Sequence, residues 1–341
     1  MSRGKLSTCN NVKITELFHF VHIVEMETAI CEGRTKMYEL VQISPKCWYI
    51  NSPARIGIYR PSDDEPAVYL VDSGNDKDAG KKIRKILDGQ GWVLKGILIT
   101  HSNADHIGGC HYLQEQSGCK IFAPEMEGAF TASPILEPTM LYGGCPPKDL
   151  RHKFLMAQPS KAASLDHREF PQEVEVIPLP GHFLDMVGYR MPDGTVFLAD
   201  CISSRTTLEK YGIPFLYDVQ KYLNTLDYVE RMTEEYAGFP AIYVPSHTEV
   251  FTDAEALKEL IQFNREKILE IGERLLKIAE GGKTTEIIIK EAFESYGLTM
   301  NFEQYVLVGS TIRSFLSWMK DGGKLDVVFE ENMLIWKAAE V

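Results

Sequence analysis

Short apolar runs alternate with amphipathic stretches over much of the chain. The run Ala67–Val71 predicts a buried strand, and residues 78–87 predict a helix because their apolar positions lie three and four apart. Gly89 and Gly91 are expected to end that helix as a C-terminal cap. The remaining apolar runs predict strands at residues 96–100, 120–123, 174–177, 196–200 and 241–245. With further helices predicted at residues 111–116 and 219–237, this rhythm indicates a mixed α/β fold with helices packed on sheets.

Two regions depart from that rhythm. Residues 126–168 are rich in Pro and Gly and lack sustained periodicity, so we expect long loops with short helical pieces that form the wall or lid of a site. Residues 1–36 are interpreted as an extension ahead of a folded domain that begins near Met37. That extension is either loosely ordered, the product of an alternative start codon, or an N-terminal arm that mediates dimer contacts.

After Thr252 the chain becomes almost entirely helical in pattern. One helix is predicted at residues 254–279, and a second is predicted to begin after Thr284 or Thr285, either of which suits the N-cap position. A third helix is predicted at residues 302–319. The region therefore predicts three successive helices.

Two apolar runs, at residues 324–329 and 333–336, predict a hairpin after the third helix. Three helices and a hairpin are the layout of a winged-helix module, which often binds DNA through its third helix. Here that helix offers only Arg313, with Lys320 at its end, and acidic residues outnumber basic ones across the segment, which favours a packing or dimerisation role. The sequence is thus divided into an N-terminal extension (1–36), a main α/β domain (37–252) and a helical winged-helix-like domain (253–341).

Charge and cysteine content narrow the class of protein. The chain has 341 residues and a net charge of -12, which weighs against a general nucleic-acid role because binding phosphates needs a basic face. Its seven cysteines form no C-x-x-C pair, which favours the reduced thiols of a cytosolic protein. No apolar stretch matches a signal peptide or a membrane span. We therefore expect a soluble, cytoplasmic protein.

Side chains of the types that commonly bind metals occur at or after the ends of four predicted strands. They are those of His101, Asp105, His106, His182, Asp200 and His247. Imidazole and carboxylate are ligands that zinc, iron and manganese prefer in proteins. Histidines with purely structural roles have no reason to recur at strand ends, so the pattern favours a metal site.

The run HSNADH at residues 101–106 resembles the H-x-H-x-D-H signature of the metallo-β-lactamase superfamily. Gly108 and Gly109 follow it, as is usual in that family, and the resemblance covers about residues 40–250. It implies an αββα sandwich, in which two sheets pack face to face with helices outside and the site lies at one edge. The C-terminal region resembles the winged-helix-like appendage of some members, and the chain is placed in the glyoxalase II-like branch.

The resemblance implies a role for each candidate residue. The metal ligands that it implies are His101, Asp105, His106, His182, Asp200 and His247. Asp200 matches the carboxylate that bridges two metals. Asp105 is expected to orient the attacking water as well as to bind metal. Asp72 matches an early aspartate of the family. That aspartate is not a ligand and supports the metal loop, which here is residues 101–106, by hydrogen bonding.

The sequence departs from the signature at Asn103, where the family has its second histidine. An amide oxygen is a weaker donor than an imidazole, so Asn103 is expected to bind metal poorly or only through water. Site 1, built from His101, His182 and Asp200, is therefore predicted to be the weaker site. Site 2 keeps four ligands and is predicted to be the tighter site; they are Asp105, His106, Asp200 and His247. An alternative is that Asn103 shifts the preference toward iron or manganese.

The implied ligand set indicates hydrolysis. A metal lowers the pKa of a coordinated water and polarises a carbonyl or phosphoryl oxygen. We predict a hydrolase that holds one or two zinc ions and cleaves a small ester, thioester, lactone or lactam. Three alternatives stay open: an iron-dependent oxidoreductase of the same fold, as in persulfide dioxygenases or flavodiiron proteins; a nuclease of the same superfamily; and a non-catalytic metal-binding scaffold.

The predicted partner is a small-molecule substrate, with nucleic acid disfavoured and a homodimer left open. Arg151, His152 and Lys153 follow a Gly/Pro-rich loop and are either contacts for an anionic substrate or part of a solvated face. Tyr142 and Tyr217 are further candidates for substrate contacts from their position alone.

Overall fold

The computed structural model describes residues 36–236 and 241–339. Within these ranges two β-sheets pack face to face and helices cover their outer surfaces, which confirms the predicted αββα sandwich. The proposed N-terminal extension lies outside the described residues except for Lys36.

Seven strands of the described chain form the first sheet, and they lie in it in chain order. They are β1 (Leu40–Gln42), β2 (Cys47–Ile50), β3 (Ile56–Tyr59), β4 (Ala67–Val71), β5 (Val93–Leu98), β6 (Lys120–Ala123) and β7 (Ala162–Ser164). Strands β1 to β4 pair antiparallel, whereas β4 to β7 run parallel. The parallel half brings the carboxyl ends of its strands to one edge, which is where α/β sheets place their ligands.

The second sheet has four strands among the described residues, in the order β11-β10-β9-β8. They are β8 (Glu175–Pro178), β9 (Val187–Arg190), β10 (Thr195–Ala199) and β11 (Ile242–Pro245). Strands β10 and β11 run parallel, so Asp200 and His247 follow neighbouring strands at the same edge. His182 lies in the loop between β8 and β9, and β9 itself was not among the predicted strands.

Helices lie outside both sheets. Those between β4 and β11 are α1 (Lys77–Gln90), α2 (Ala104–Ile107), α3 (Cys110–Ser117), α4 (Glu125–Ala132), α5 (Leu136–Tyr142), α6 (Arg205–Tyr211) and α7 (Val219–Glu235). Helix α1 continues through Gly89, so the prediction that Gly89 shares its cap is wrong. Gly91 alone caps this helix, with a left-handed φ of 70° that glycine adopts without strain. Residues 126–168 contain most of α4, all of α5, a 3₁₀ turn (Lys148–Leu150) and β7, which is more regular structure than predicted.

A layer of apolar side chains fills the space between the sheets. Leu98 of the first sheet belongs to the same buried cluster as Tyr189, Phe197 and Val244 of the second. Gly57 of β3 permits this close approach, because a Cβ at that position would lie 2.5 Å from the Phe197 ring. Close packing in this layer fixes the separation of the sheets and thereby of the loops that each sheet carries.

Three helices and a hairpin follow the sandwich, namely α8 (Ala254–Ile278), α9 (Thr285–Ser295), α10 (Phe302–Asp321), β12 (Leu325–Glu330) and β13 (Met333–Ala338). The side chains of Asp253, Thr284 and Asn301 cap the three helix N-termini. Buried residues of these helices belong to the same apolar cluster as residues of the second sheet. Helix α10, the third helix of this region, packs against α5 and α7. Among the described residues, no helix has the length and apolar character needed to cross a membrane.

Removing a buried side chain from α8 is expected to destabilise the sandwich. Leu275 is fully buried in the cluster shared with the second sheet, whereas Leu269 on the same helix is 43% exposed. Leu275→Ala is expected to lower the free energy of unfolding by about 2–5 kcal/mol, because it leaves a cavity. The control Leu269→Ala is expected to change it by roughly 0.5 kcal/mol or less. Chemical denaturation followed by circular dichroism measures both, and equal losses would contradict a shared core.

Candidate metal centre

Six of the seven residues predicted to bind metal, all except Asn103, come together at one edge of the sandwich. We call this group of side chains the ligand cluster. It is formed by the loop after β5, helix α2, the loop between β8 and β9, and the segments after β10 and β11. Its members are His101, Asp105, His106, His182, Asp200 and His247. The first sheet therefore supplies the three signature residues, and the second sheet supplies the other three.

Two residues next to the cluster have left-handed backbone conformations. The angle φ is 64° at Asp72, which follows β4, and 53° at Ala199, which precedes Asp200. A side chain is strained in this region, and such strain persists only where the surrounding structure holds it, often at functional sites. Backbone strain thus accompanies the placement of the carboxylates of Asp72 and Asp200.

Asp200 lies at the centre of the cluster. Its Oδ2 lies 3.2 Å from His247 Nε2 and 3.6 Å from His182 Nε2. The same oxygen lies 3.9 Å from His101 Nε2, and Oδ1 lies 3.4 Å from His106 Nε2. One carboxylate thus faces all four imidazoles, as a bridging ligand must.

Asp105 faces two of the same imidazoles. Its Oδ2 lies 3.4 Å from His247 Nε2 and 3.7 Å from His106 Nε2. Donor atoms that share a tetrahedral zinc are about 3.4 Å apart, since zinc bonds to nitrogen and oxygen are about 2.1 Å long. The imidazole–carboxylate separations within predicted site 2, at 3.2 to 3.7 Å, are close to that value, with Asp200 facing His106 through Oδ1 and His247 through Oδ2. The imidazoles of predicted site 1 lie further from Asp200, at 3.6 and 3.9 Å.

Three atoms of the cluster are buried and have no hydrogen-bond partner in the part of the chain that the structure describes. They are His101 Nε2, His106 Nε2 and Asp200 Oδ1. Buried polar atoms are nearly always paired, because an unpaired one is unfavourable by roughly 1–3 kcal/mol. A cation coordinated by these atoms would satisfy all three. Because imidazole nitrogen and carboxylate oxygen are also donors that zinc accepts, the residues present fit a metal centre.

Each imidazole of the cluster is oriented through its other ring nitrogen. The partners of Nδ1 are Thr100 Oγ1 for His101 (3.0 Å), Asp72 Oδ2 for His106 (2.8 Å), the Phe215 carbonyl for His182 (3.1 Å) and the Pro53 carbonyl for His247 (2.9 Å). A proton on Nδ1 places the lone pair on Nε2, so these partners select the tautomer that a metal ligand needs. Sequence reasoning missed Pro53 and Phe215, because a backbone carbonyl leaves no signal in the sequence.

Asp72 supports two histidines from behind the metal loop. It is buried, and it accepts hydrogen bonds from the Thr100 backbone N–H at 2.9 Å and the Thr100 hydroxyl at 2.7 Å. Its Oδ2 also lies 2.8 Å from His106 Nδ1. Since the Thr100 hydroxyl donates to Asp72, its oxygen accepts from the Nδ1 proton of His101. Asp72 thus contacts His106 directly and His101 through Thr100, and its role in supporting the metal ligands stays a prediction.

Burial and carboxylates act in opposite directions on the four imidazoles. Burial lowers the pKa of His101 well below its usual value and also lowers the pKa of His182. Burial disfavours the charged forms of His106 and His247 too, but the neighbouring carboxylates prevail. They raise the pKa of His106 well above its usual value and that of His247 to about 10. A cation that binds these two imidazoles must therefore displace protons, so metal affinity rises with pH.

The side-chain amide of Asn103 is hydrogen-bonded to a carboxylate. Its Nδ2 donates to Glu137 Oε1 at 2.7 Å, and the preceding residue, Ser102, donates to Glu127. Both glutamates come from the segment 126–168, and sequence reasoning missed them. A single glutamate in a segment without periodicity ordinarily indicates a solvated surface, so the sequence carries no sign of their burial.

The residues suggested as substrate contacts interact elsewhere. Lys153 Nζ lies 2.9 Å from Asp76 Oδ2, and His152 Nε2 lies 3.5 Å from Glu303 Oε1. The backbone N–H of Tyr217 donates to two carbonyls of the loop that carries the third histidine motif, at 3.0 and 3.1 Å. The two other candidates are exposed, and they are Tyr142 and Arg151. Of these five residues, Tyr217 is therefore the one that contacts a ligand-bearing loop directly.

Comparison with known proteins identifies the family. The model of the metallo-beta-lactamase superfamily matches residues 58–247, more than half of the chain. A hydroxyacylglutathione hydrolase of Bradyrhizobium sp. (strain ORS 278) is 30% identical over 201 residues, which cover 57% of this chain and 68% of that protein. A protein of the same name from Rhodopseudomonas palustris (strain BisB18) is 34% identical over 116 residues, which cover 34% of this chain and only 36% of the relative.

Solved structures show the same fold. A beta-lactamase domain protein from Burkholderia ambifaria superimposes with a TM-score of 0.69 at 15% identity, covering 89% of this chain and 95% of that one. A metallo-beta-lactamase family protein from Thermus thermophilus gives 0.64 at 16% identity, covering 86% and 99%. With the family match, these findings mean that the chain belongs to the metallo-beta-lactamase superfamily. At the level of that family it is a metal-dependent hydrolase.

Removing the charge of Asp72 is expected to weaken metal binding. Asp72→Asn replaces an acceptor oxygen by an amide that faces a donor, so the hydrogen bonds to Thr100 and His106 cannot all persist. Loss of such a supporting partner typically lowers metal affinity about 10–100-fold. Competition for zinc with a chromogenic chelator measures the change, and Asp88→Asn on the exposed face of α1 is the control. Unaltered zinc affinity in Asp72→Asn would show that Asp72 does not orient a ligand.

Proposed function

We propose that the protein hydrolyses a small ester, thioester, lactone or lactam at a zinc centre held by the ligand cluster. The observation that carries the proposal is the convergence of four imidazole Nε2 atoms on the Asp200 carboxylate, with separations of 3.2 to 3.9 Å. Hydrolysis of such bonds needs a nucleophilic water and a means to stabilise an oxyanion. A metal held by imidazoles and carboxylates would be suited to both tasks.

The metal of site 2 would be held by four residues, namely Asp105, His106, Asp200 and His247. The metal of site 1 would be held by His101, His182 and the same Asp200. When bound, the metal supplies a water of lowered pKa and a Lewis acid for the scissile carbonyl. Burial raises the pKa of the Asp105 carboxyl, but His106 and His247 outweigh it and hold that pKa below its usual value. Asp105 is therefore ionised, and its carboxylate can accept a hydrogen bond from the attacking water and orient it.

The names of the relatives favour one bond type among the four. The Bradyrhizobium and Rhodopseudomonas proteins are named for the hydrolysis of hydroxyacylglutathione, an acylated thiol. We therefore rank a thioester first for this chain. The substrate is proposed to be a small molecule because the net charge of -12 provides no general attraction for nucleic acid.

Further assignments extend this proposal. We assign the catalytic function to residues 37–252 and a packing role to the winged-helix-like residues 253–341. A cytoplasmic location and assembly as a homodimer stay predictions. Zinc is proposed as the metal, with iron or manganese as the alternatives that metal analysis distinguishes.

The reaction class is tested with zinc-loaded protein and a panel of chromogenic thioesters, esters, lactones and lactams. We expect turnover of at least one class, with thioesters fastest, and loss of turnover when a chelator removes the metal. Protein that is isolated with mainly iron and consumes oxygen would favour the oxidoreductase alternative. Zinc-loaded protein that hydrolyses no member of the panel would favour the non-catalytic scaffold.

The difference between the two sites is tested by metal analysis of variants. His106→Ala and His247→Ala each remove an imidazole from site 2, so we expect loss of the tightly bound zinc. Asn103→His adds an imidazole at the position where the signature has one, so we expect higher zinc occupancy of site 1. Elemental analysis after dialysis measures the stoichiometry. A second zinc that binds no more tightly to Asn103→His than to wild type in chelator competition would contradict the proposed weakness of site 1.

A further inference from the structure

Two buried glutamates lie on the helices that cover the metal loop. Glu127 on α4 is fully buried, and Glu137 on α5 is 4% exposed. The hydrogen-bond donors that contact these carboxylates are neutral amide and hydroxyl groups. Burying a carboxylate is unfavourable, and neutral donors compensate it only in part. Packing alone therefore does not explain why these two carboxyl groups are buried.

Glu127 joins two loops that carry metal ligands. Its Oε2 accepts the backbone N–H of Ser102 at 2.9 Å and the Ser102 hydroxyl at 2.6 Å. Its Oε1 accepts the backbone N–H of Asp185 at 2.8 Å. Ser102 follows His101 directly, and Asp185 lies three residues after His182. One side chain thus ties together the loops of both imidazoles of site 1.

Glu137 holds the next residue of the same run. Its Oε1 accepts the Nδ2 proton of Asn103 at 2.7 Å, and Asn103 is the N-cap residue of α2. Ala104 is the first residue of α2, the short helix that carries Asp105 and His106. Glu137 therefore fixes the start of the helix that bears two ligands of site 2.

Helix α5 is itself anchored on the C-terminal region. Leu141, one helical turn after Glu137, packs with Leu150, Leu155 and Val306 in a small buried cluster. Val306 belongs to α10, so α5 lies between that helix and the metal loop. This arrangement fixes the position of Glu137 relative to α2.

On the basis of the metal centre of the proposed function, we propose that Glu127 and Glu137 are positioning residues that each set the geometry of one metal site. Glu127 fixes the separation of the two imidazoles of site 1. Glu137 fixes site 2 through Asn103 and the first turn of α2. In this arrangement Asn103 is a strut between Glu137 and the metal loop and is not a metal ligand.

Zinc affinity measured without substrate tests the two glutamates separately. Glu127→Gln keeps the size of the side chain but presents an amide to an N–H or O–H donor, so the weaker zinc affinity is expected to fall about 10–100-fold. Glu137→Leu, which removes the acceptor of the Asn103 amide, is expected to lower the tighter affinity instead. Glu125→Gln, which changes an exposed residue of α4, is the matched control and is expected to alter neither affinity.

Asn103→Ala separates a strut from a ligand. If Asn103 is a strut, the substitution frees the start of α2 and lowers the affinity of the tighter site, which contains Asp105 and His106. If Asn103 is a ligand of site 1, the substitution lowers the affinity of the weaker site alone, and the proposed role of Asn103 is wrong. Chelator competition with zinc alone resolves the two affinities.

Stability of the metal-free protein distinguishes positioning from a merely structural role. A structural role would lower the melting temperature of Glu127→Gln and Glu137→Leu without separating the two zinc affinities, and that result would overturn the proposal. If Glu127→Gln does not fold, Ser102→Ala removes only the hydroxyl hydrogen bond and is expected to weaken the same site. Wild-type protein that binds no zinc would overturn the proposed function. Wild-type protein that binds zinc and hydrolyses thioesters, together with variants whose zinc affinities equal those of wild type, would overturn only the positioning roles.

Discussion

Four imidazole Nε2 atoms meet at the Asp200 carboxylate, and each must present a lone pair there. This requirement accounts for much of the surrounding structure. The two sheets must be close-packed so that ligands from both reach one point, and Gly57 permits that approach. Each ring must also donate its Nδ1 proton to a fixed acceptor, such as Asp72 for His106. The backbone strain at Asp72 and Ala199 lies next to this same point.

The candidate centre has two layers of support. The inner layer orients the rings through a carboxylate, a hydroxyl and two backbone carbonyls. The outer layer consists of Glu127 and Glu137, which hold the backbone between His101 and Asp105. The outer layer comes from α4 and α5, so the positions of these two helices also affect the geometry of the site. Helix α10 extends this support, since it packs against α5.

Features that depend on local pattern could be predicted from the sequence. Strand β6, for example, occupies the apolar run Lys120–Ala123 as predicted, and Thr284 is the N-cap of α9. The ligand cluster was predictable because histidine and aspartate are informative residue types and all six occur at or after strand ends. The resemblance to a known signature then gave each of them a role. Strand and helix ends were less accurate, since α1 passes through Gly89 and ends at Gly91.

Features that depend on tertiary neighbours could not be predicted. The carbonyls of Pro53 and Phe215 become acceptors only because folding brings them to His247 and His182. The local sequence around Glu127 does not distinguish it from a solvated glutamate, because its burial depends on the packing of α4 over the metal loop. Nothing in the local pattern pairs Asn103 with a carboxylate, because that contact depends on the position of α5.

X-ray absorption at the zinc edge shows whether imidazoles and carboxylates of the ligand cluster bind the metal. We expect a first shell of nitrogen and oxygen at about 2.0–2.2 Å, with the outer-shell scattering of two imidazoles when one equivalent of zinc is bound. His247→Ala is predicted to reduce that scattering at the tighter site. A sulfur shell at about 2.3 Å, or a spectrum without imidazole scattering, would show that the metal is bound by other residues.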